Sequence, residues 1–181
     1  AGVQERITYR CADAWEELAR LRDLDAIFFH ASLHHFDRLA EMAVLLRRAL
    51  APGGLLYLDE YVGPSRDEWR LVDELRWNWH YYRLPKSVRR VGRIRPPINY
   101  EDPTEAVASS KILPAIAREF DIPHLIATDP EEIDGRFTGN VAGTPCFRER
   151  KVSRLEHFLA AHGTRLDLLG NSWFYSDSHN D

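Results

Sequence analysis

Asp25-Ala26-Ile27-Phe28-Phe29-His30-Ala31-Ser32-Leu33-His34-His35 is the stretch on which the fold turns. Ala26 to Phe29 is an unbroken apolar run, the mark of a strand buried on both faces of a parallel sheet. It runs directly into a polar segment, His30 to His35. Asp37 is placed to cap a helix whose apolar residues Leu39, Met42, Leu46, Ala49 and Leu50 share one face. Pro52-Gly53-Gly54 ends that helix, and Leu55-Leu56-Tyr57-Leu58 reads as a second buried strand. Strand, helix and strand joined by short turns make a right-handed parallel unit.

Working outward, residues 7–12 alternate and are β-prone, which predicts a short strand ending at Asp13. A helix is predicted over 14–22, with Trp15, Leu18 and Leu21 on one side. Another is predicted over 67–83, its face formed by Trp69, Val72, Leu75, Trp79 and Tyr82. Residues 84–104, rich in Pro and Arg and without periodicity, read as loop. Thr104 or Ser109 is placed to cap a helix carrying Ile112, Ile116 and Phe120, with Pro114 tolerated in its first turn. A short strand at 124–128, a glycine-punctuated hairpin at 137–145, a helix over 147–162 and a last strand at 173–175 complete the reading. The class is α/β, with no internal repeat.

The chain has 181 residues, 44% hydrophobic and 29% charged, which describes one globular domain of ordinary size. Its 24 Lys and Arg against 28 Asp and Glu leave a net charge of −4, which argues against a strongly basic nucleic-acid binder. Cys11 and Cys146 are too few for a disulfide framework and suit a reducing, cytoplasmic compartment. No apolar run reaches the roughly 20 residues that span a bilayer, so no membrane association is expected. The chain opens on Ala1 and stops at Asp181 within an acidic stretch, which leads to the expectation that both ends are cut.

Parallel sheets bind ligands beyond the carboxyl ends of their strands. Those ends carry Asp13, the His30–His35 segment and Asp59-Glu60. A carboxylate after a strand accepts hydrogen bonds from a base amine or a ribose hydroxyl; the alternative for Asp13 is a capping or turn aspartate. Neither a cysteine nor another histidine at ligand spacing supports a metal reading of His34 and His35. Arg83, Lys86, Arg89, Arg90, Arg93 and Arg95 follow Trp77, Trp79, Tyr81 and Tyr82. That pattern suits single-stranded nucleic acid, but equally a solvated loop beside a core-facing aromatic stripe, and we adopt the second. Cys11 and Cys146 have no neighbouring base motif and are not nucleophiles.

The order of these features resembles the later half of the class I S-adenosylmethionine-dependent methyltransferases over roughly residues 1–119. The resemblance rests on Asp25 to Phe29, Leu33-His34-His35, Leu50 to Leu56, Glu60-Tyr61-Val62-Gly63-Pro64-Ser65-Arg66 and Asp102-Pro103-Thr104-Glu105-Ala106-Val107. It implies S-adenosylmethionine as cofactor, with Asp13 near the adenine and His30, Ala31, Ser32 and Leu33 lining the cofactor and substrate side. The chain departs from the family in two respects. No Gly-x-Gly-x-Gly loop occurs, nor the acidic residue that grips the ribose; both belong to the central strands of the family's sheet.

From about residue 120 a different resemblance takes over. Ile122-Pro123-His124-Leu125-Ile126-Ala127-Thr128, Asp134-Gly135-Arg136-Phe137-Thr138-Gly139 and Gly143-Thr144-Pro145-Cys146-Phe147 are similar to the haloacid-dehalogenase-like hydrolases, in the branch resembling phosphoserine phosphatase. Tyr175-Ser176-Asp177-Ser178-His179-Asn180-Asp181 is similar to that superfamily's acidic metal motif. The resemblance implies Mg²⁺ bound by Asp177 and Asp181, and Lys151 as the phosphate-binding lysine. Phosphomonoester hydrolysis by this route also requires an aspartate nucleophile. The Asp-x-Asp-x-Thr/Ser motif that supplies it does not occur. By itself, Lys151 reads as a solvated helix lysine, and the Asp177/Asp181 pair as an exposed polar tail.

Together these features describe an incomplete, Rossmann-like, three-layer parallel sheet assembled from two truncated halves, 1–119 and 120–181, joined within 112–123. Strands from both halves are expected to share one hybrid sheet, because strand–helix units are locally alike in all such folds. Three functions compete: a methyltransferase-like protein weak or inactive for want of its glycine loop, a Mg²⁺-dependent phosphatase fragment, and a non-catalytic scaffold. A small-molecule substrate is expected in the first two cases. Neither methyl acceptor, phosphate ester nor oligomeric state can be read from the residues.

Overall fold

The computed structural model describes residues 7–122, 130–142 and 149–176, which fall into two compact units. The first runs to Phe120 and takes in the chain again from Ser172; the second spans Asp121–Asn171.

The first unit is built on a three-stranded, all-parallel sheet. Its middle strand is β1 (Leu24–His30), flanked by β2 (Leu50–Asp59) and, from the far end of the chain, by β5 (Ser172–Ser176). Ile27 is level with Leu56 on one side and Trp173 on the other, and Phe29 with Leu58 and Tyr175. These residues face one way and form the core with Leu33, Met42, Leu46 and Ile112, all fully buried apart from the partly exposed flanking strands. The helices α1 (Ala14–Arg20), α2 (Leu39–Ala49) and α4 (Ile112–Ile116) supply the layer above this face. On the opposite face Phe28 packs beside Tyr57, and Phe174 is 57% exposed. The result is the small, open, incomplete form of an α/β Rossmann-like fold, and it joins strands from both sequence halves in one sheet.

Pro52-Gly53-Gly54 does more than end a helix. β2 meets β1 at Leu24–Leu50 and again at Ala26–Leu55, so residues 51–54 bulge out between the two pairings. Gly53 takes a φ of +79°, and a Cβ on Gly54 would stand 2.8 Å from the Leu24 carbonyl oxygen. Only glycine meets both demands.

Several expectations fail. Residues 7–12 form no strand and are exposed. Both edges of β1 are taken by β2 and β5, and the segment pairs with neither of those outer strands. Asp37 does not cap α2, whose N-cap is Arg38 without a side-chain cap. Neither Thr104 nor Ser109 caps α4; Ser109 instead begins a single 3₁₀ turn that leads into it. The helix α3 (Leu71–Tyr82) forms, but no residue of it is buried, and Val72, Leu75, Trp79 and Tyr82 all face solvent. Its tether is polar. Asn78 exchanges two hydrogen bonds of 2.8 Å with the Ile94 backbone, and the Tyr81 and Tyr82 hydroxyls donate to Val91 and Gly92 carbonyls.

In the second unit β3 (Pro130–Ile133) and β4 (Arg136–Val141) make an antiparallel hairpin, starting earlier than the glycine pattern suggests. Its turn places Asp134 and Gly135 at φ of 51° and 74°. Helix α5 (Glu149–Ala161) follows, with Leu155 and Leu159 buried. The strand expected at 124–128 lies outside the described residues.

Candidate functional site

The carboxyl ends of β1 and β2 meet at a cluster of histidines and carboxylates. His30 Nδ1 lies 2.9 Å from Asp59 Oδ2, in a pair partly open to solvent. The next residue, Ala31, has a φ of 46°, a conformation costly for a side chain other than glycine. Its amide donates to the Asp59 carbonyl at 2.9 Å, and the bend turns the chain so that the following two amides point at one acceptor. That acceptor is Glu60 Oε1, at 2.9 Å from Ser32 N and 2.7 Å from Leu33 N. The other carboxylate oxygen, Oε2, is 2.8 Å from His34 Nδ1. The Glu60 side chain is 1% exposed and that of His34 8%, so this is a dry, saturated network. The Ser32 hydroxyl also donates to the Tyr175 carbonyl at 3.3 Å, tying the turn to β5.

A loop far along the chain completes the cluster. Glu105 Oε1 stands 3.6 Å from His34 Nε2, and His35 Nδ1 is 2.9 Å from Thr104 Oγ1. Thr104 in turn donates its hydroxyl to Asp102 Oδ1 at 2.7 Å. Hydrogen bonds from the Thr104 hydroxyl and amide hold the Asp102 carboxyl below its ordinary pKa, since they favour the charged form. The rings of His34 and His35 lie 4.3 Å apart.

Beside this cluster is a cleft of about 390 Å³, lined among others by Asp13, Trp15, His35, Phe36, Thr104 and Tyr175. Its size falls within the range of small-molecule sites. Trp15 and Phe36 meet edge to face at 5.8 Å, and the Arg38 guanidinium covers the Trp15 ring at 4.3 Å. Asp13 is at the mouth, where it also caps α1 by accepting from the amides of Trp15 at 2.7 Å and Glu16 at 3.1 Å. The capping alternative therefore describes its hydrogen bonds, while its position still faces the cleft.

The structure thus brings Asp13, His30, Ala31, Ser32 and Leu33 to one end of one sheet. Lys151 is in the first turn of α5, in the second unit, and Asp177 and Asp181 lie outside the described residues. Sequence reasoning put Glu60 at a strand end without giving it a role, and passed over Thr104 and Glu105 as site residues. The acidic pair at the end of β2 was the usable signal for Glu60; nothing local marks Glu105. The basic–aromatic stretch supplies a second cleft of about 500 Å³ that includes Trp69, Arg93, Arg95 and Tyr100. There Arg93 is paired with Glu74 at 2.7 Å, which offsets its charge.

Whether these residues suit S-adenosylmethionine divides by the end of the cofactor. The cleft offers aromatic rings and a carboxylate of the kind that hold a purine. The sheet edge where the family's central strands would run carries β5 instead, and no glycine loop is mounted there. The adenosyl end fits; the methionine end does not.

Residues 1–58 match the family model of a methyltransferase domain, and residues 108–181 match that of the haloacid dehalogenase-like hydrolases. A histidinol-phosphatase of Neisseria meningitidis serogroup C (strain 8013) is 41% identical over 83 residues, covering 44% of this chain. The chain spans only 37% of that protein's length. No solved structure matches the chain. Among the described residues no helix is long and apolar enough to cross a membrane. Two resemblances therefore share one polypeptide, a methyltransferase domain at its start and a haloacid dehalogenase-like hydrolase at its end, and the central sheet takes strands from both.

Proposed function

We propose that the 181-residue chain is an S-adenosylmethionine-dependent methyltransferase-like protein that holds the adenosyl end of the cofactor weakly and transfers methyl groups slowly or not at all. The observation that carries this reading is the cleft between Asp13, Trp15 and Phe36, in the segment similar to a methyltransferase domain. When bound, the cofactor supplies an electrophilic methyl group. The protein's residues contribute binding alone: stacking against Trp15 and Phe36, and a carboxylate acceptor at Asp13. We take the join between the two halves to lie within 112–123, which the division into compact units near Phe120 supports. A reducing, cytoplasmic setting accords with the two cysteines, of which Cys11 is free and exposed.

Ligand-observed NMR with S-adenosylhomocysteine tests this. The dissociation constant is expected near about 1 mM, and Trp15→Ala should raise it several-fold. Low-micromolar affinity would mean that the glycine loop is dispensable. Saturation-transfer signals identical in the Trp15→Ala variant would reject the cleft.

The 41% identity to a histidinol-phosphatase favours a second reading, Mg²⁺-dependent hydrolysis of a phosphomonoester. Asp177 and Asp181 would supply oxygen ligands to Mg²⁺, and Lys151 would offset the phosphate charge. With no Asp-x-Asp-x-Thr/Ser motif to furnish the nucleophile, hydrolysis of p-nitrophenyl phosphate is expected to stay at the blank rate. A Mg²⁺-dependent rate that Asp177→Ala abolishes would put this reading first. Loss of both ligand binding and hydrolysis would leave the non-catalytic scaffold.

A further inference from the structure

We propose that His34, His35 and Glu105 form a binding site for a divalent transition-metal ion of the zinc class. One ligand atom from each of the three lies within 4.8 Å of the other two. Donors around a tetrahedral ion with bonds of about 2.1 Å stand roughly 3.4 Å apart, and the 3.6 Å between His34 Nε2 and Glu105 Oε1 is near that spacing. Two imidazoles with one carboxylate select zinc-class ions over Mg²⁺ or Ca²⁺, which take oxygen ligands.

The surrounding hydrogen bonds set both histidines for this role. Glu60 is a buried carboxylate that accepts from two amides, and it therefore accepts from His34 Nδ1 as well. The ring's other nitrogen, Nε2, faces Glu105 Oε1. His35 is held in the same way. Thr104 spends its hydroxyl proton on Asp102, so its oxygen accepts from His35 Nδ1–H. Histidines that donate one ring N–H to an outer carboxylate or oxygen while presenting the other nitrogen are the usual arrangement of metal ligands.

With three protein ligands, a tetrahedral ion keeps one position for water or a small anion. His35 and Thr104 line the 390 Å³ cleft, so the cluster borders it. The inference does not rest on adenosyl binding, although His35 lines the same cleft.

The competing account is a second proton on His34 that bridges Glu60 and Glu105. Chelator-treated protein, the whole 181-residue chain, titrated with Co²⁺ separates the two. One equivalent should produce visible ligand-field absorption that Zn²⁺ then displaces. His35→Ala and Glu105→Gln, both at partly exposed positions, should each weaken binding about tenfold or more with unchanged circular dichroism. A folded wild type without that absorption, and with ¹⁵N chemical shifts of a doubly protonated His34, would overturn the proposal. Binding left intact by both variants would overturn it equally, since the ion would then sit on other histidines.

Discussion

Replacing Phe29 with alanine is expected to cost about 3–5 kcal/mol, the range for deleting a buried aromatic from a packed core. Phe29 is fully buried in the middle strand, and its ring lies 5.9 Å from Trp173, 5.5 Å from Tyr175 and 6.3 Å from Phe36. Two of those partners are on β5, so the ring binds the hydrolase-like strand to the methyltransferase-like one. The sheet has three strands among the described residues, so each cross-strand contact carries a large share of its stability. Whole domains are stable by only about 5–15 kcal/mol, so the variant should sit close to its unfolding midpoint in water. Urea titration reads the loss. Amide exchange supplies a sharper test, because residues 26–29 and 173–175 should be protected in the wild type and should lose protection together. Phe174→Ala is the control: Phe174 points to the open face and should cost below about 1 kcal/mol. If Phe174→Ala proves the damaging change and Phe29→Ala the mild one, β5 pairs one residue out of register, since such a slip exchanges the two faces.

The parts legible in the sequence are those that short-range rules determine. Ala26 to Phe29 and Leu55 to Leu58 are strands because continuous apolar runs of that length have no other low-cost home, and Pro52-Gly53-Gly54 is a break on stereochemical grounds. The failures lie where a partner had to be known. Residues 7–12 have the alternation of a strand but pair with none of the described strands. The apolar stripe of α3 has helical spacing, yet periodicity cannot say whether a neighbour covers it; here the polar side is tethered and the stripe is exposed. The site divides in the same way. His30 to Leu33 were readable as residues beyond a strand end. Glu60 became a ligand to their backbone only because Ala31 bends the chain toward it, and Glu105 joined them only through the folding of a long loop.

Glu60→Ala is expected to cost about 3–5 kcal/mol, because it leaves three buried donors without their acceptor. The carboxylate is the common acceptor for Ser32 N, Leu33 N and His34 Nδ1, at 2.9, 2.7 and 2.8 Å. With alanine there, two amides and an imidazole N–H stay in a space that water hardly reaches, and each unmet donor costs about 1–3 kcal/mol. The positive φ of Ala31 is sustained by the same bonds, so the 3₁₀ turn Leu33–His35 should open and take His35 and Phe36 out of the cleft wall. Glu60→Gln should lose less, since its amide keeps one acceptor oxygen and much of the volume. Asp59→Ala removes the adjacent carboxylate, but its partner His30 is 39% exposed, and a pair that open to water is worth below about 1 kcal/mol. Denaturant midpoints for the three variants, with exchange rates at residues 31–35, check the order: Glu60→Ala worst, Glu60→Gln intermediate and Asp59→Ala mild. Equal, small losses for Glu60→Ala and Asp59→Ala would mean that the strand-end network is wet. The buried acceptor on which the shape of the cleft depends would then not exist.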